Sequence, residues 1–111
     1  MKIPKNAIIA DAKLTRYLLV LRSRSDKSQF LAKAGFTLEN ANLLDVALRQ
    51  LISANEAIED RTDEYGTYYQ VKGTLLGING VNLEIVTIWL HRKIDFKFQF
   101  ITLIPNKESV R

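Results

Sequence analysis

Residues 64–105 read EYGTYYQVKGTLLGINGVNLEIVTIWLHRKIDFKFQFITLIP. Apolar and polar side chains alternate through much of this stretch, and a period of two residues predicts β-strands rather than helices. Asn79-Gly80 favours a type I′ turn, which matches the twist of the two strands it joins. Residues 67–78 and 81–90 are therefore predicted to pair as an antiparallel hairpin with Asn79 and Gly80 as its two loop residues.

Two further elements flank this hairpin. After a looser turn at residues 92–95, the alternation resumes and predicts a final strand from Phe96 to Ile104. Residues 56–63, on the other side, read either as an edge strand, which tolerates charge well, or as an irregular connection. The sheet is thus predicted to be an antiparallel meander of three or four strands.

The first half of the chain has helical periodicity instead. Leucines and Tyr17 recur at helical spacing and predict a helix over residues 11–21, with Asp11 as its N-cap. Asp26 is predicted to cap a second, short helix, and Gly35 follows it where a left-handed residue is expected.

A third, longer helix is predicted to begin after the cap residue Thr37 and to end near Asn55. Its apolar residues fall on one stripe, as in a helix that packs on a sheet. The predicted fold class is α+β, with three N-terminal helices packed on a three- or four-stranded antiparallel meander. At 111 residues, the chain is predicted to be a single α+β domain, residues 1–111.

Composition excludes several classes of function. The chain has no cysteine and one histidine, which argues against disulfides and against a metal site, and no cofactor is predicted. A cysteine-free domain suits the reducing cytoplasm, the predicted location. No apolar run approaches the roughly 18 residues of a membrane span, and no signal-type apolar core follows the N-terminus. We therefore expect neither a membrane partner nor export.

The charge is unevenly distributed along the chain. The net charge is +4, and basic residues crowd positions 13–33 whereas acidic residues crowd positions 56–64. The basic residues of the first region are Lys13, Arg16, Arg22, Arg24, Lys27 and Lys33. Such a region is either a surface for nucleic acid or simply the solvated face of helices.

The predicted hairpin also predicts which side chains share a face. With a two-residue loop, Lys72 would lie opposite Thr87, and Gln70 would lie opposite Trp89. Because side chains alternate, these residues would form one strip on one face of the sheet. Its members are Tyr68, Gln70, Lys72, Thr74, Thr87, Trp89 and His91. The opposite face, with Tyr69, Val71, Leu75, Val86, Ile88 and Leu90, would pack against the helices.

This polar strip is the candidate functional surface. Tyr68, Gln70 and Trp89 are candidate binding residues, and the indole of Trp89 would stack an RNA base. If the domain cleaves RNA, His91 would shuttle the proton and Lys72 would stabilise developing phosphate charge. Thr87 would then be a positioning hydroxyl. The alternative is that the strip is only the wet face of an antiparallel sheet.

Several short matches, spread over nearly the whole chain, carry a resemblance. They are Ile3-Pro4, Asn6-Ala7-Ile8-Ile9, Lys27-Ser28-Gln29-Phe30, Gly35-Phe36, Tyr65-Gly66-Thr67, Val86-Thr87-Ile88-Trp89 and Ile101-Thr102. With these matches the chain resembles a family of small bacterial domains of unknown function, found alone and at the ends of polymorphic-toxin chains. The resemblance implies helices followed by a four-stranded antiparallel sheet. By fold analogy, that layout is similar to the barnase/RelE-like ribonuclease toxins.

The resemblance also bears on the site. The residues that match the family pattern are Lys27, Thr87 and Thr102, and Lys27 becomes a candidate binding residue. The same pattern leads us to expect a histidine, an arginine and a tyrosine at the positions that Asp26, Gln29 and Ile104 occupy here. If the family is a nuclease, this member is depleted of acid/base groups.

Two functions therefore remain open from the sequence. The first is a small non-enzymatic domain that binds a protein partner or itself as a homo-oligomer, with Phe96, Phe98 and Phe100 as the contact. The alternative is an RNA-binding or ribonuclease toxin-like domain that is catalytically degenerate. The missing acid/base groups favour the first function.

Overall fold

The computed structural model of the chain describes residues 1–20 and 27–107, which form a four-stranded antiparallel sheet with helices on one side. The strands are β1 (Ala57–Asp63), β2 (Gly66–Leu75), β3 (Leu83–Arg92) and β4 (Phe98–Pro105). They lie in the order β1-β2-β3-β4, so each strand pairs with its neighbour in sequence. The predicted α+β meander is confirmed, and the ambiguous residues 56–63 contain an edge strand.

Helical segments precede the sheet. They are α1 (Asp11–Lys13), which continues as a π-helical turn (Leu14–Leu18), α2 (Ser28–Ala32), a 3-10 turn (Leu38–Asn40), and α3 (Ala41–Ala54). The prediction of three N-terminal helices is corrected in one respect, because the longest helix lies in the middle of the chain. Among the described residues, none of the helices is long and apolar enough to cross a membrane.

The first helix is shorter than predicted and has a different cap. Asp11 is the first helical residue rather than the N-cap, and Ala10 takes the cap position without a side-chain hydrogen bond. The following turn widens, since the Leu19 amide bonds the carbonyl of Leu14, five residues back, at 3.0 Å. This wider turn lets Leu14, Leu18 and Leu19 all reach the core.

Two of the later helix ends follow the sequence, and the start of α3 is corrected. Gly35 has φ of +92°, the left-handed conformation expected after α2. Thr37, the predicted cap of the long helix, instead caps the 3-10 turn through a reciprocal capping box with Asn40, and Asn40 is the N-cap of α3. Asn55 is the C-cap of α3. Asp26, the predicted cap of α2, lies outside the described residues.

The helices pack on one face of the sheet, which we call the inner face. The α3 residues that are buried between the helix and this face include Leu44, Leu48, Leu51 and Ile52. A side chain on Gly73 of β2 would overlap the side chain of Asn55, so this glycine marks a close approach of the helix end to the sheet. The pairing of β2 with β3 runs past Gly73 without a bulge.

The N-terminal segment crosses the molecule from one sheet edge to the other. The Ala57 amide bonds the carbonyl of Met1 at 2.7 Å, and the Ile8 amide bonds the carbonyl of Phe98 at 2.7 Å. Arg49 of α3 fixes this segment by donating hydrogen bonds to the carbonyl oxygens of Lys5 and Ala7. The segment therefore covers part of the β4 edge.

The predicted register of the central hairpin is wrong by one residue. In the structure Lys72 pairs with Val86 rather than Thr87, and Thr74 pairs with Glu84. The side chains of Thr74 and Glu84 share a hydrogen bond of 2.6 Å, as residues on one face would.

The cause is the loop of residues 76–82, which is longer than a two-residue turn. Its Ile78 amide bonds the carbonyl of Ala34 at 3.0 Å, and the Asn79 side chain donates to the carbonyl of Lys33 at 3.0 Å. These bonds hold the loop on the end of α2. Gly80 keeps a left-handed φ of +89°, but its turn belongs to this docked loop.

A one-residue slip moves every side chain of a strand to the other face. The residues of β3 that lie on the inner face are Leu83, Ile85, Thr87 and Trp89, together with Val71 and Leu75 of β2. Val86 and Ile88 accordingly lie on the opposite, outer face with Gln70 and Lys72. The predicted polar strip is thus divided between the two faces.

The last strand also begins later than predicted. Phe96 has φ of +59° and lies in the turn before β4, which starts at Phe98. A residue with that φ cannot continue a strand. A bulge where Ile88 and Trp89 pair with β4 then shifts the alternation, and Phe100 is fully buried.

Candidate functional site

One lysine bridges the helical half of the chain and the far edge of the sheet. Lys27, which immediately precedes α2, donates hydrogen bonds to the hydroxyl of Thr102 on β4 at 3.0 Å and to the phenol of Tyr17 at 3.3 Å. We call these three side chains the Lys27 cluster. It unites two residues of the family pattern, Lys27 and Thr102, that lie 75 residues apart in sequence.

The electrostatics of the cluster favour negative charge. The hydrogen bond from Lys27 lowers the pKa of the Tyr17 phenol against an opposing effect of partial burial, and the charges of Lys27 and Lys13 act in the same direction. The ammonium nitrogens of Lys13 and Lys27 lie 5.4 and 5.2 Å from the centre of the Tyr17 ring. Two cations therefore lie near one aromatic ring.

Lys27 has no carboxylate partner within residues 1–20 and 27–107. Its side chain is half-buried, and an ammonium group has three N–H donors, of which the two hydroxyls take two. In this part of the chain the third donor is open to an added anion. Phosphate and carboxylate oxygens are the groups that such a donor binds.

Thr87 and Trp89, which were predicted to lie on the polar strip, are not exposed in the structure. Both side chains are fully buried on the inner face. The indole Nε1 of Trp89 donates to the Thr87 hydroxyl at 2.8 Å, and that hydroxyl donates to the carbonyl of Val71 at 2.9 Å. Trp89 therefore has no free face on which a base could stack, and Thr87 does not contact solvent.

The β2 members of the predicted strip do lie on the outer face. Gln70 and Lys72 line a shallow hollow of about 540 Å³ together with apolar Val86, Ile88 and Ile104. Because the helices occupy the inner face, this hollow opens to solvent. It is a mixed polar and apolar surface, consistent with the one wet face of an antiparallel sheet.

Tyr68 is held in a small network at the β1 edge. The guanidinium of Arg61 lies 4.0 Å from the centre of the Tyr68 ring and bonds the carboxylate of Asp63 at 3.2 Å. Partial burial raises the pKa of the Tyr68 phenol, and its hydrogen bond to Asp63 acts in the same direction. Tyr68 thus differs from Tyr17, whose pKa is lowered.

His91 lies at the end of β3, apart from the other candidates. Its ring stacks on Phe98 with the ring centres 4.3 Å apart, and its Nε2 bonds the carbonyl of Phe96 at 3.1 Å. These contacts brace the β3–β4 turn. Lys72, on the outer face, and Thr87, on the inner face, do not converge with it.

The residue that sequence reasoning missed is Tyr17. Its helical spacing assigns it to the apolar stripe of the first helix, and nothing near it in sequence indicates a polar partner. The sequence feature that indicates this site is the pair Lys27 and Thr102, which match one family pattern although they are distant in sequence. Tyr17 could be identified only through its contact with Lys27. Gln29 and Ile104, which replace an expected arginine and tyrosine, are both exposed.

Comparison with solved structures supports the fold. A chain of the "contact-dependent growth inhibition toxin - immunity protein complex" from Klebsiella pneumoniae 342 superposes with a TM-score of 0.69. The two sequences are 20% identical, and the match covers 91% of this chain and 94% of that chain. A likeness at this identity establishes the architecture alone.

Comparison with curated proteins gives no match. The profile of one family, described as "Domain of unknown function (DUF6883)", matches residues 2–107, nearly the whole chain. The expectation from the sequence motifs of a domain family of unknown function is confirmed. The chain belongs to the DUF6883 family.

Proposed function

We propose that this domain binds the phosphate backbone of RNA, with the Lys27 cluster at the centre of the binding surface, in the manner of a ribonuclease toxin-like domain. The observation that carries the proposal is the 3.0 Å hydrogen bond between Lys27 Nζ and the Thr102 hydroxyl. It brings together two motif residues in a place where a half-buried cation has an open donor.

The charge around the cluster supports an anionic ligand. A lysine ammonium is a compact point charge that binds phosphate, and Lys13 and Arg16 lie on the same helical turns as Tyr17. The net charge of +4 also attracts a polyanion. RNA bound here would place a phosphate oxygen at the third N–H of Lys27.

Tyr17 is the candidate catalytic residue if the domain also cleaves RNA. Cleavage of RNA requires a group that accepts a proton from the attacking hydroxyl, and such groups work best when their pKa approaches the ambient pH. The Tyr17 phenol has a lowered pKa and contacts the proposed phosphate-binding lysine. His91 as proton shuttle and Lys72 as the charge-stabilising group remain proposals for two other places on the molecule, since these two side chains do not converge.

The test is the affinity for a fluorescently labelled single-stranded RNA, measured by anisotropy between about 50 and 200 mM salt. We expect wild-type binding to weaken steeply with salt. Lys27→Gln removes a charge-assisted hydrogen bond, typically about 1.5–3 kcal/mol, and should weaken binding about tenfold or more. The matched control is Lys5→Gln, because Lys5 is an exposed lysine outside the cluster.

If Lys27→Gln and Lys5→Gln bound RNA with equal affinity, the RNA-binding site would not be the Lys27 cluster. Binding that is absent, or insensitive to salt, would remove the RNA proposal. The same samples, run on a denaturing gel, report cleavage. If cleavage occurs, Tyr17→Phe should abolish it at nearly unchanged affinity, whereas His91→Ala and Lys72→Gln test the two roles predicted from the sequence.

A second candidate function is binding of a protein partner or of a second copy of the chain. The specific observation is that Ile94 and Phe96, in the β3–β4 turn, expose 85% and 73% of their surface. Of the phenylalanines predicted to form the contact, Phe100 is buried and Phe98 is half-buried, so Phe96 carries this candidate. The similar chain from Klebsiella belongs to a complex of two proteins, which fits the same idea.

A further inference from the structure

Two turns at one end of the sheet present three large exposed side chains. Tyr65, in the β1–β2 turn, exposes 63% of its surface, and Ile94 and Phe96 in the β3–β4 turn expose 85% and 73%. The Lys93 amide bonds the carbonyl of Tyr65 at 2.9 Å and so ties the two turns together. We call Tyr65, Ile94 and Phe96 the sheet-end patch. Clustered exposed apolar side chains mark interaction sites.

The exposure of Phe96 is enforced by its backbone. Phe96 has φ of +59°, and a bulky residue in the left-handed region costs free energy. The strained turn is held by the Phe96 amide bonding the carbonyl of Arg92 at 2.8 Å and by the bond from His91 Nε2 to the Phe96 carbonyl. The fold therefore stabilises a conformation that keeps a phenylalanine in solvent.

The charges around the patch have both signs. Asp95 pairs with Arg92 at 2.9 Å, so its charge is compensated within the turn. Glu64 in one turn, and Lys93 and Lys97 in the other, are exposed and form no ion pair with any residue in the described part of the chain. An apolar centre thus has an acid on one side and bases on the other.

We propose that the sheet-end patch is the contact of a two-fold symmetric homodimer, which specifies the second candidate function and rests on it. A two-fold axis brings the same patch of both copies together, so a surface carrying both signs of charge complements itself. Phe96 packs against the apolar centre of the other copy. Glu64 faces Lys97 of the second copy, and the reciprocal pair forms on the other side of the axis.

The first experiment is sedimentation velocity of the full chain from micromolar to millimolar concentration. We expect the weight-average mass to rise from the 12.7 kDa of the monomer toward twice that value. Phe96→Asn should keep the protein monomeric at every concentration. Asparagine tolerates the left-handed backbone better than phenylalanine, so this variant retains the fold.

The matched control is Leu76→Asn. Leu76 is 52% exposed but lies in the loop of residues 76–82, at the opposite end of the sheet. This variant should dimerise as the wild type does. Loss of dimer in Leu76→Asn with dimer retained in Phe96→Asn would overturn the proposed surface, although self-association, the second candidate function, would stand.

A charge exchange tests the predicted pairing directly. Glu64→Lys and Lys97→Glu should each weaken the dimer, because each places like charges opposite one another across the two-fold axis. The double variant, with both changes in one chain, should recover dimerisation. Failure of the double variant to recover would overturn the Glu64–Lys97 pairing. A wild-type chain that remains monomeric throughout would overturn the homodimer and leave the patch to a different protein.

Discussion

The Trp89 indole and the Thr87 hydroxyl form a buried hydrogen bond of 2.8 Å between residues two apart on the same face of β3. Both side chains have no exposed surface, and the Thr87 hydroxyl donates a hydrogen bond to the carbonyl of Val71. These two hydrogen bonds satisfy the indole N–H of Trp89 and the hydroxyl of Thr87. They also require that Thr87 lie on the inner face, which only the observed register provides.

Thr87→Val should therefore destabilise the domain. The valine keeps the shape of threonine but leaves the indole N–H buried without an acceptor, a loss of about 1–3 kcal/mol. Urea denaturation followed by the fluorescence of the single tryptophan measures this change. Thr74→Val is the matched control, since the Thr74 hydroxyl bonds Glu84 on the outer face in contact with solvent. Equal costs for the two variants would contradict the buried network.

Cross-strand nuclear Overhauser effects should report the observed register. Protons of Lys72 are expected to contact those of Val86, and protons of Thr74 those of Glu84, because these residues are direct partners. The two-residue turn predicted from Asn79-Gly80 would instead join Lys72 to Thr87. A spectrum with the latter contacts would restore the polar strip as one continuous surface.

Two glycines in the loop of residues 76–82 should respond differently to alanine. A side chain on Gly77 would overlap the carbonyl oxygen of Val81, whereas a side chain on Gly80 would meet nothing within 4 Å. Gly77→Ala is thus expected to disrupt the docked loop and to lower stability more than Gly80→Ala. The latter should cost about 1 kcal/mol, because φ at Gly80 is +89°.

Thermal and urea unfolding of the two variants provide the comparison. A further readout is the loop itself, since the Ile78 amide bonds the carbonyl of Ala34 and should be protected from hydrogen exchange in the wild type. We expect Gly77→Ala to lose that protection while Gly80→Ala retains it. Retained protection in Gly77→Ala would indicate that the loop is not docked as described.

The phenol of Tyr17 should ionise before that of Tyr68 as pH rises. The pKa of Tyr17 is lowered, first by its hydrogen bond from Lys27, and that of Tyr68 is raised by partial burial and by Asp63. The ring carbon shifts of labelled tyrosine measure each titration, with Tyr17→Phe and Tyr68→Phe for assignment. In Lys27→Met, the Tyr17 titration should move up toward the ordinary value of about 10.

The lowered pKa of Tyr17 also makes the free energy of unfolding depend on pH. A native pKa below the unfolded value means that the folded state favours the phenolate, so stabilisation is fully present above the unfolded value of about 10. It is lost as pH falls through the lowered native pKa of Tyr17. Lys27→Met removes the main cause of the lowered pKa of Tyr17, so this variant should lose more stability in alkaline than in neutral solution.

Local sequence signals were sufficient for the order of the elements and for several of their termini. The left-handed Gly35 and the terminator Asn55 lie where the pattern predicts them, and Thr37 is a cap residue, although of the 3-10 turn before α3. Each of these signals acts through neighbours within a few residues. The alternation of residues 64–105 likewise predicts strands. The π-helical turn after α1 was missed because it depends on the burial of its leucines in the core. The left-handed Phe96 was missed because a bulky residue rarely adopts that φ.

The order and type of the elements, and the meander that they form, follow from the amino-acid sequence alone, because periodicity and capping are properties of neighbouring residues. The sequence alone does not determine which face of the sheet each β3 side chain occupies. That depends on the hydrogen bonds from residues 76–82 to the end of α2. The Lys27 cluster likewise exists only once the fold brings Lys27 to Thr102. A one-residue change of register alters no local preference, yet it determines which residues of the domain a ligand can reach.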